Sequence, residues 1–180
     1  MQTVVCKWVD ECVVLDIPAS AETAYALYSQ LDQHPRWSPW LYAVTYDRDQ
    51  GSSTWALRVL GLRVSWESVN TVEEPPTEIS WKSVTGLQNR GRVVFSDVAP
   101  DRCTMTLTLS YDIPRAIAAV LKLQAAEALV KRTILRDLKR FSTVLTGVDC
   151  IDFEPEGDDD LDAAAQTARA PNGNADVTLE

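Results

Sequence analysis

The stretch Tyr111-Asp112-Ile113-Pro114-Arg115-Ala116-Ile117, continued through Val120, Leu123 and Val130 to Leu145, decides the fold of this chain. Pro114 stands near a first helical turn, where a missing N–H costs little. From there to Gly147 the chain has no further Pro or Gly. Val120, Leu123, Val130, Ile134, Leu138, Phe141 and Leu145 recur at intervals of 3, 7, 4, 4, 3 and 4 residues, the spacing of one helical face. Arg132, Arg136, Lys139 and Arg140 fall on the other sides. A helix of that length must lay its stripe on something broad, and the chain before it reads as strands.

Residues 3–17 read as a Val-rich strand whose later part alternates Val13, Leu15, Ile17 against Cys12, Val14, Asp16, leaving its face ambiguous near Val14. Ser20, with Thr23, fits a helix N-cap, and Ala21 to Leu31 follows as a short helix with Ala24, Leu27, Tyr28 and Leu31 on one side. Gln33 to Trp37 reads as a second, very short helix or turn. A meander comes next: Leu41–Arg48, Ser53–Leu60, Leu62–Val72, Glu78–Val84, Arg90–Val98 and Cys103–Tyr111, punctuated by Gly, Pro and Asp turns. Period-two alternation puts Trp55, Leu57, Val59, Trp81, Val93, Phe95, Met105, Leu107 and Leu109 on the inward face. The expected architecture is α+β: a curved antiparallel sheet of seven strands gripping a long C-terminal helix, with two short helices after the first strand.

Composition narrows the function classes. The formal charge of −9 is confined to residues 146–180, which hold ten acids and one base, whereas residues 1–145 are neutral. The domain therefore has no cationic excess for nucleic acid. Four cysteines without C-x-x-C spacing and a single histidine, His34, do not make a metal site, so no metal or cofactor is expected and the thiols read as free, in a reducing compartment. Charged residues break up the first twenty positions, against a secretory signal, and the longest apolar run is Ala116 to Leu121. A soluble protein is expected. Residues 1–147 form the expected domain, and 148–180 an acidic, disordered tail that could serve a basic partner.

Several segments together resemble the START-like (SRPBCC) superfamily of polyketide cyclases, dehydrases and lipid-transport proteins. They are Ile17-Pro18-Ala19 before a short helix, Pro35-Arg36-Trp37-Ser38-Pro39-Trp40, Ile79 to Val84, and Gly86-Leu87-Gln88-Asn89-Arg90-Gly91 before Val93 and Phe95. Tyr111-x-x-Pro114 and Asp137-Leu138-Lys139-Arg140-Phe141 close the set. Gly86 to Gly91 and the helix ending most resemble uncharacterised cyclase/dehydrase-like proteins of cyanobacteria and plastids. That likeness implies the helix-grip fold, a cavity under the helix, and a place in a cyanobacterial cytoplasm or a plastid stroma.

Six tryptophans, Trp8, Trp37, Trp40, Trp55, Trp66 and Trp81, precede residue 82. They either line a cavity for a large apolar ligand or fill a core that a curved sheet would leave hollow. Trp37 to Trp40 is the expected mouth, a Pro-stiffened loop whose indoles would touch the ligand, a membrane or a protein. Within the likeness, the candidate ligand-binding residues are Trp37, Trp40, Trp55, Leu57, Val59, Trp81, Phe95, Met105, Leu107 and Glu127. His34 reads as structural, no G-x-S-x-G elbow surrounds a serine, and Asn89 with Gly91 reads as a turn flanked by solvated arginines.

Glu127 falls within about 20° of the centre of the apolar stripe. Three accounts compete: a helix bend between Lys122 and Ala126 that turns it outward, a structural pair with Arg58 or Arg92, or an acid that orients a ligand. The leading functional expectation is binding or carriage of a hydrophobic small molecule such as a lipid, quinone, isoprenoid or pigment, without catalysis. The rivals are a cyclase or dehydrase acting on a polyketide-like or terpenoid substrate, and an interaction protein using its acidic tail.

Because the tail lacks the apolar content to repay the entropy of ordering it, deleting residues 148–180 is expected to leave the thermal unfolding midpoint unchanged. A loss of several degrees would mean that the tail packs on the domain.

Overall fold

The computed structural model describes residues 8–59, 61–113 and 123–147; residues 1–7, 60, 114–122 and 148–180 lie outside the description, and with them the acidic tail and Val120. Seven strands form one antiparallel sheet: β1 (Trp8–Ile17), β2 (Leu41–Asp47), β3 (Ser52–Val59), β4 (Leu62–Glu74), β5 (Glu78–Gly86), β6 (Asn89–Ala99) and β7 (Arg102–Asp112). Their order across the sheet is β1-β7-β6-β5-β4-β3-β2, so the meander runs unbroken from β2 to β7 and β1 closes against its last strand. Helix α1 (Ala21–Tyr28), a 3₁₀ turn (Leu31–Arg36) and helix α2 (Leu123–Thr146) complete the described elements. This is the helix-grip arrangement that the alternation and the long stripe predict. From Leu123 onward α2 is a single helix, and the proposed bend overlaps residues outside the description.

Pairing settles the ambiguous face of β1. Val13 lies opposite Leu107, and Val9, Val13 and Ile17 are buried while Val14 is exposed. Bulges in β4 against β5 and in β6 against β7 interrupt the register, the usual device by which a long sheet bends. Leu57, Val93, Phe95, Met105 and Leu107 are buried on the inward face, and Trp55, Trp81 and Leu109 are half-buried there. Val59 belongs to β3, but its side chain lies outside the description.

Ser20 caps α1, its Oγ accepting the Thr23 N–H at 3.2 Å. A second anchor comes from β6, where Asp97 Oδ1 accepts the Ala21 N–H at 2.7 Å and satisfies another orphan donor of the first turn. The helix ends at Tyr28 rather than Leu31, and it buries Tyr25 with Ala21, Ala24 and Tyr28 while Leu27 stays half-exposed. Phe141 of α2 is fully buried, its ring edge-on to Tyr28 at 5.5 Å and to Trp37 at 5.1 Å. Such edge-to-face rings suit the aromatic quadrupole. Around them Ile17, Phe95, Met105, Ile134 and Leu138 complete the main core.

Asn89 and Gly91 do not form a turn, contrary to expectation. Both lie in β6, and the residue that turns the chain before it is Gly86, at φ +71°. Gly91 faces Trp81 across the β5–β6 pair, and a Cβ there would overlap the indole. The flanking arginines are engaged: Arg92 pairs with Glu78 at 2.6 Å, and Arg90 lies over the Trp8 ring at 5.2 Å.

Gly91→Ala should displace the Trp81 indole and lower unfolding free energy by ~1–3 kcal/mol, the usual cost of overpacking. Urea unfolding followed by tryptophan emission checks this; an unchanged midpoint would mean that the indole has room to move.

Candidate functional site

Aromatic packing around Phe141 holds α2 against the sheet, and next to that core the two surfaces enclose a cavity of about 230 Å³. The sheet contributes Trp55, Leu57, Val64, Trp66, Trp81, Leu107 and Leu109, and α2 contributes Leu129, Val130, Ile134, Asp137 and Leu138. Trp37, Ser38 and Trp40, between the 3₁₀ turn and β2, form a third wall. Trp55 and Trp66 stack nearly parallel with centroids 5.9 Å apart. Apolar walls of this kind are the general feature of small-molecule sites.

Of the candidate ligand residues, Trp37, Trp40, Trp55, Leu57, Trp81 and Leu107 line this cavity. Phe95 and Met105 do not. They are 1% and 0% exposed in the core, where Phe95 packs against the Tyr25 and Tyr28 rings of α1. Glu127 is half-exposed and lies outside the wall, although its charge is felt at the Tyr111 hydroxyl. The proposed partners of Glu127 have other contacts: Arg92 pairs with Glu78, and Arg58 lies over the Tyr42 ring. In the Trp37–Trp40 loop, expected to be exposed, Trp37 is only 2% exposed and Trp40 is half-buried, and both line the cavity.

What turns that loop inward is Asp137, which periodicity did not single out. Its Oδ2 accepts hydrogen bonds from Ser38 Oγ at 2.6 Å and from Trp40 Nε1 at 2.5 Å. The Arg140 guanidinium stands 3.8 Å from Oδ1, which has no hydrogen-bond partner among the described residues. Burial pushes the Asp137 carboxyl up to about 6, and the Ser38 and Trp40 hydrogen bonds followed by the Arg140 and Arg136 charges only partly offset it. The sequence did carry a signal: Asp137 lies three residues after Ile134 and four before Phe141, on the edge of the stripe.

His34 sits between Tyr28, Trp37 and Trp55, with ring centroids at 4.7, 4.8 and 5.2 Å. Its Nε2 is 2.9 Å from the Tyr28 carbonyl. A carbonyl can only accept, so Nε2 carries the proton. Burial lowers the ring to about 4, leaving it neutral. Two more buried polar atoms in the wall, Ser68 Oγ and Tyr111 OH, have no hydrogen-bond partner among the described residues. Burial, with help from Glu11 and Glu127, pushes the Tyr111 phenol up to about 12, so it remains protonated. Asn89 is satisfied: its Oδ1 accepts from Trp81 Nε1 at 3.2 Å and its amide donates to the Leu87 carbonyl at 2.9 Å.

These shifts oppose one another in their effect on stability. The native state holds the Asp137 proton more tightly than the unfolded chain, so this contribution falls as pH rises from about 4 to about 6. It holds the His34 proton less tightly, so that contribution rises from about 4 to about 6.5. Each is worth ~3 kcal/mol, and together they nearly cancel. Asp137→Asn should uncover the His34 slope: stability measured by urea unfolding should climb over this window, and near pH 8 the variant should be more stable than the parent. Parallel profiles for the two proteins would refute the assignment.

Three solved structures with the same fold are a Deinococcus radiodurans protein, a START superfamily protein from Mycobacterium smegmatis and the ZhuI aromatase/cyclase of Streptomyces. The first is 24% identical, with a TM-score of 0.58, and the match covers 78% of this chain and 100% of that one. The second is 16% identical, with a TM-score of 0.57 and coverage of 77% and 94%. The third is 17% identical, with a TM-score of 0.62 and coverage of 77% and 94%. At these identities the likeness establishes the fold alone. No curated protein matches the sequence. The model of the polyketide cyclase/dehydrase and lipid transport family matches residues 17–139, and the chain belongs to that family.

Proposed function

We propose that this protein binds and carries a hydrophobic small molecule, of the lipid, quinone, isoprenoid or pigment kind, in the cavity between sheet and α2. The observation that carries the reading is the wall itself: half-buried aromatic and aliphatic side chains from β3, β4, β5, β7 and α2 converge on one space that they leave open. Apolar groups held half-exposed around a hollow are a standing cost that a ligand removes, at ~25 cal/mol for each Å² taken out of water. Six of the residues singled out from sequence, Trp37, Trp40, Trp55, Leu57, Trp81 and Leu107, would make that contact.

A second reading has one observation in its favour. Asp137, with a carboxyl near 6 that is mostly ionised at neutral pH, and neutral His34 with an unprotonated Nδ1 both line the cavity, so two groups able to take up a proton stand in one wall. Cyclase or dehydrase chemistry needs such groups, and the Streptomyces relative is an aromatase/cyclase. Turnover of a polyketide-like substrate separates the two readings.

Neutral N-phenyl-1-naphthylamine tests the first. Its emission should rise on mixing while tryptophan emission falls, because indoles line the space. Leu109→Trp, which adds an indole to the wall, should abolish both signals and leave the circular dichroism spectrum intact. A folded Leu109→Trp protein that still binds the dye would place binding elsewhere and overturn the proposal.

A further inference from the structure

Among the described residues, the buried side-chain polar atoms that lack a hydrogen-bond partner are Ser68 Oγ, Tyr111 OH and Asp137 Oδ1. All three residues line the cavity, and they are 1%, 6% and 6% exposed. Buried polar groups are almost always paired in a native protein. Three such atoms on residues of one cavity wall therefore point to a molecule that completes them.

The charge of the wall says what kind of molecule. Its described residues include two carboxylates, Asp112 and Asp137, and no lysine or arginine. A ligand carboxylate entering this space would lose its water and meet like charge, with no cation among the described wall residues to replace what it lost. Asp137 is also the one orphan that, when ionised, can only accept a hydrogen bond. Its other oxygen is already held by Ser38 and Trp40, so Oδ1 is the oxygen left to receive a donor.

We infer that Asp137 is the specificity-determining residue of the cavity: Oδ1 accepts a hydrogen bond from a hydroxyl of a neutral, apolar ligand, and the acidic wall excludes carboxylates such as free fatty acids. The inference rests on the reading of the cavity as a ligand site. An ammonium ligand would also satisfy Oδ1, but it fits less well. Part of the Asp137 charge is already countered by Arg140 at 3.8 Å. The other two orphans are hydroxyls, which call for neutral oxygens and not for a second cation.

Displacement of bound N-phenyl-1-naphthylamine by three probes with one body tests this: 2-naphthalenemethanol, 2-naphthoate and 2-naphthylmethylamine, at about pH 8, where Asp137 and the naphthoate are both ionised. The alcohol should compete at least about tenfold better than the carboxylate. In Asp137→Asn, whose amide keeps the shape and can donate, that ratio should collapse toward unity, chiefly through tighter carboxylate binding. In Asp112→Asn, which removes a wall charge but leaves Asp137 Oδ1 in place, it should fall by much less.

If the dye itself does not bind, the ligand-site reading falls and this inference with it. If the dye binds but alcohol and carboxylate displace it within about threefold of each other, the inference alone is overturned. It is overturned equally if the amine competes best, or if the ratio falls as far in Asp112→Asn as in Asp137→Asn. Should the Asp137 variant fail to fold, the ratio measured on the parent protein still decides.

Discussion

A curved sheet cannot touch a straight helix along its whole length, and where contact is made decides what the rest of the molecule can do. Here contact is made by rings. Phe141 is wedged against Tyr28 and Trp37, and Tyr28 in turn meets Phe95 at 5.8 Å. Ile134 and Leu138 belong both to this core and to the cavity wall, whereas Leu129 and Val130, one to two turns earlier, line the cavity. The same stripe thus closes the fold at one end and borders open space at the other. Filling both ends would bury more area; leaving one open costs stability and creates a site.

The second constraint is a buried charge. Asp137 is joined to Ser38 and Trp40 across 99 and 97 residues of sequence, so one carboxylate oxygen ties α2 to the loop before β2. A hydrophobic residue in its place would pack without the desolvation penalty that raises its pKa. That the carboxylate nevertheless stands there, with one oxygen that accepts no hydrogen bond among the described residues and has the Arg140 guanidinium 3.8 Å away, is the reason to look for a role beyond packing. His34, a few residues before Ser38 in the same connection, carries the opposite shift for the same cause, burial beside aromatic rings.

Much of the fold was legible because it depends on period alone. Strand boundaries from Leu41 to Tyr111 were readable within two residues, since each alternating run is bounded by a Gly, Pro or Asp turn. Four wall residues, Trp55, Leu57, Trp81 and Leu107, were legible for the same reason, because they point inward from strands, whereas Trp37 and Trp40 were marked by their loop and the cavity itself by the family resemblance. The failures share one cause as well. Phe95 and Met105 alternate inward like Leu107, yet both serve the core, where Phe95 packs against the Tyr25 and Tyr28 rings of α1. Period gives the face of a strand but not which element covers that face. Gly91 was read as a turn because glycine usually permits one, whereas its hydrogen here makes room for an indole on the neighbouring strand.

Glu127 and Asp137 carry this distinction into the site itself. Both are acids on or near the apolar stripe of one helix, and angular position alone favours Glu127, the nearer to its centre. Yet Glu127 is half-exposed and Asp137 is buried. The difference does not lie in the helix. It lies in what stands opposite: the Trp37–Trp40 loop covers the later turn of α2 and brings two donors to the carboxylate it buries. A helical wheel describes a direction, and burial is a property of the pair. In a fold where one helix crosses a curved sheet, the residue that decides ligand chemistry is therefore expected at the margin of the stripe. There a connecting loop can cover a polar group and satisfy part of it, and the remaining valence is free for a ligand.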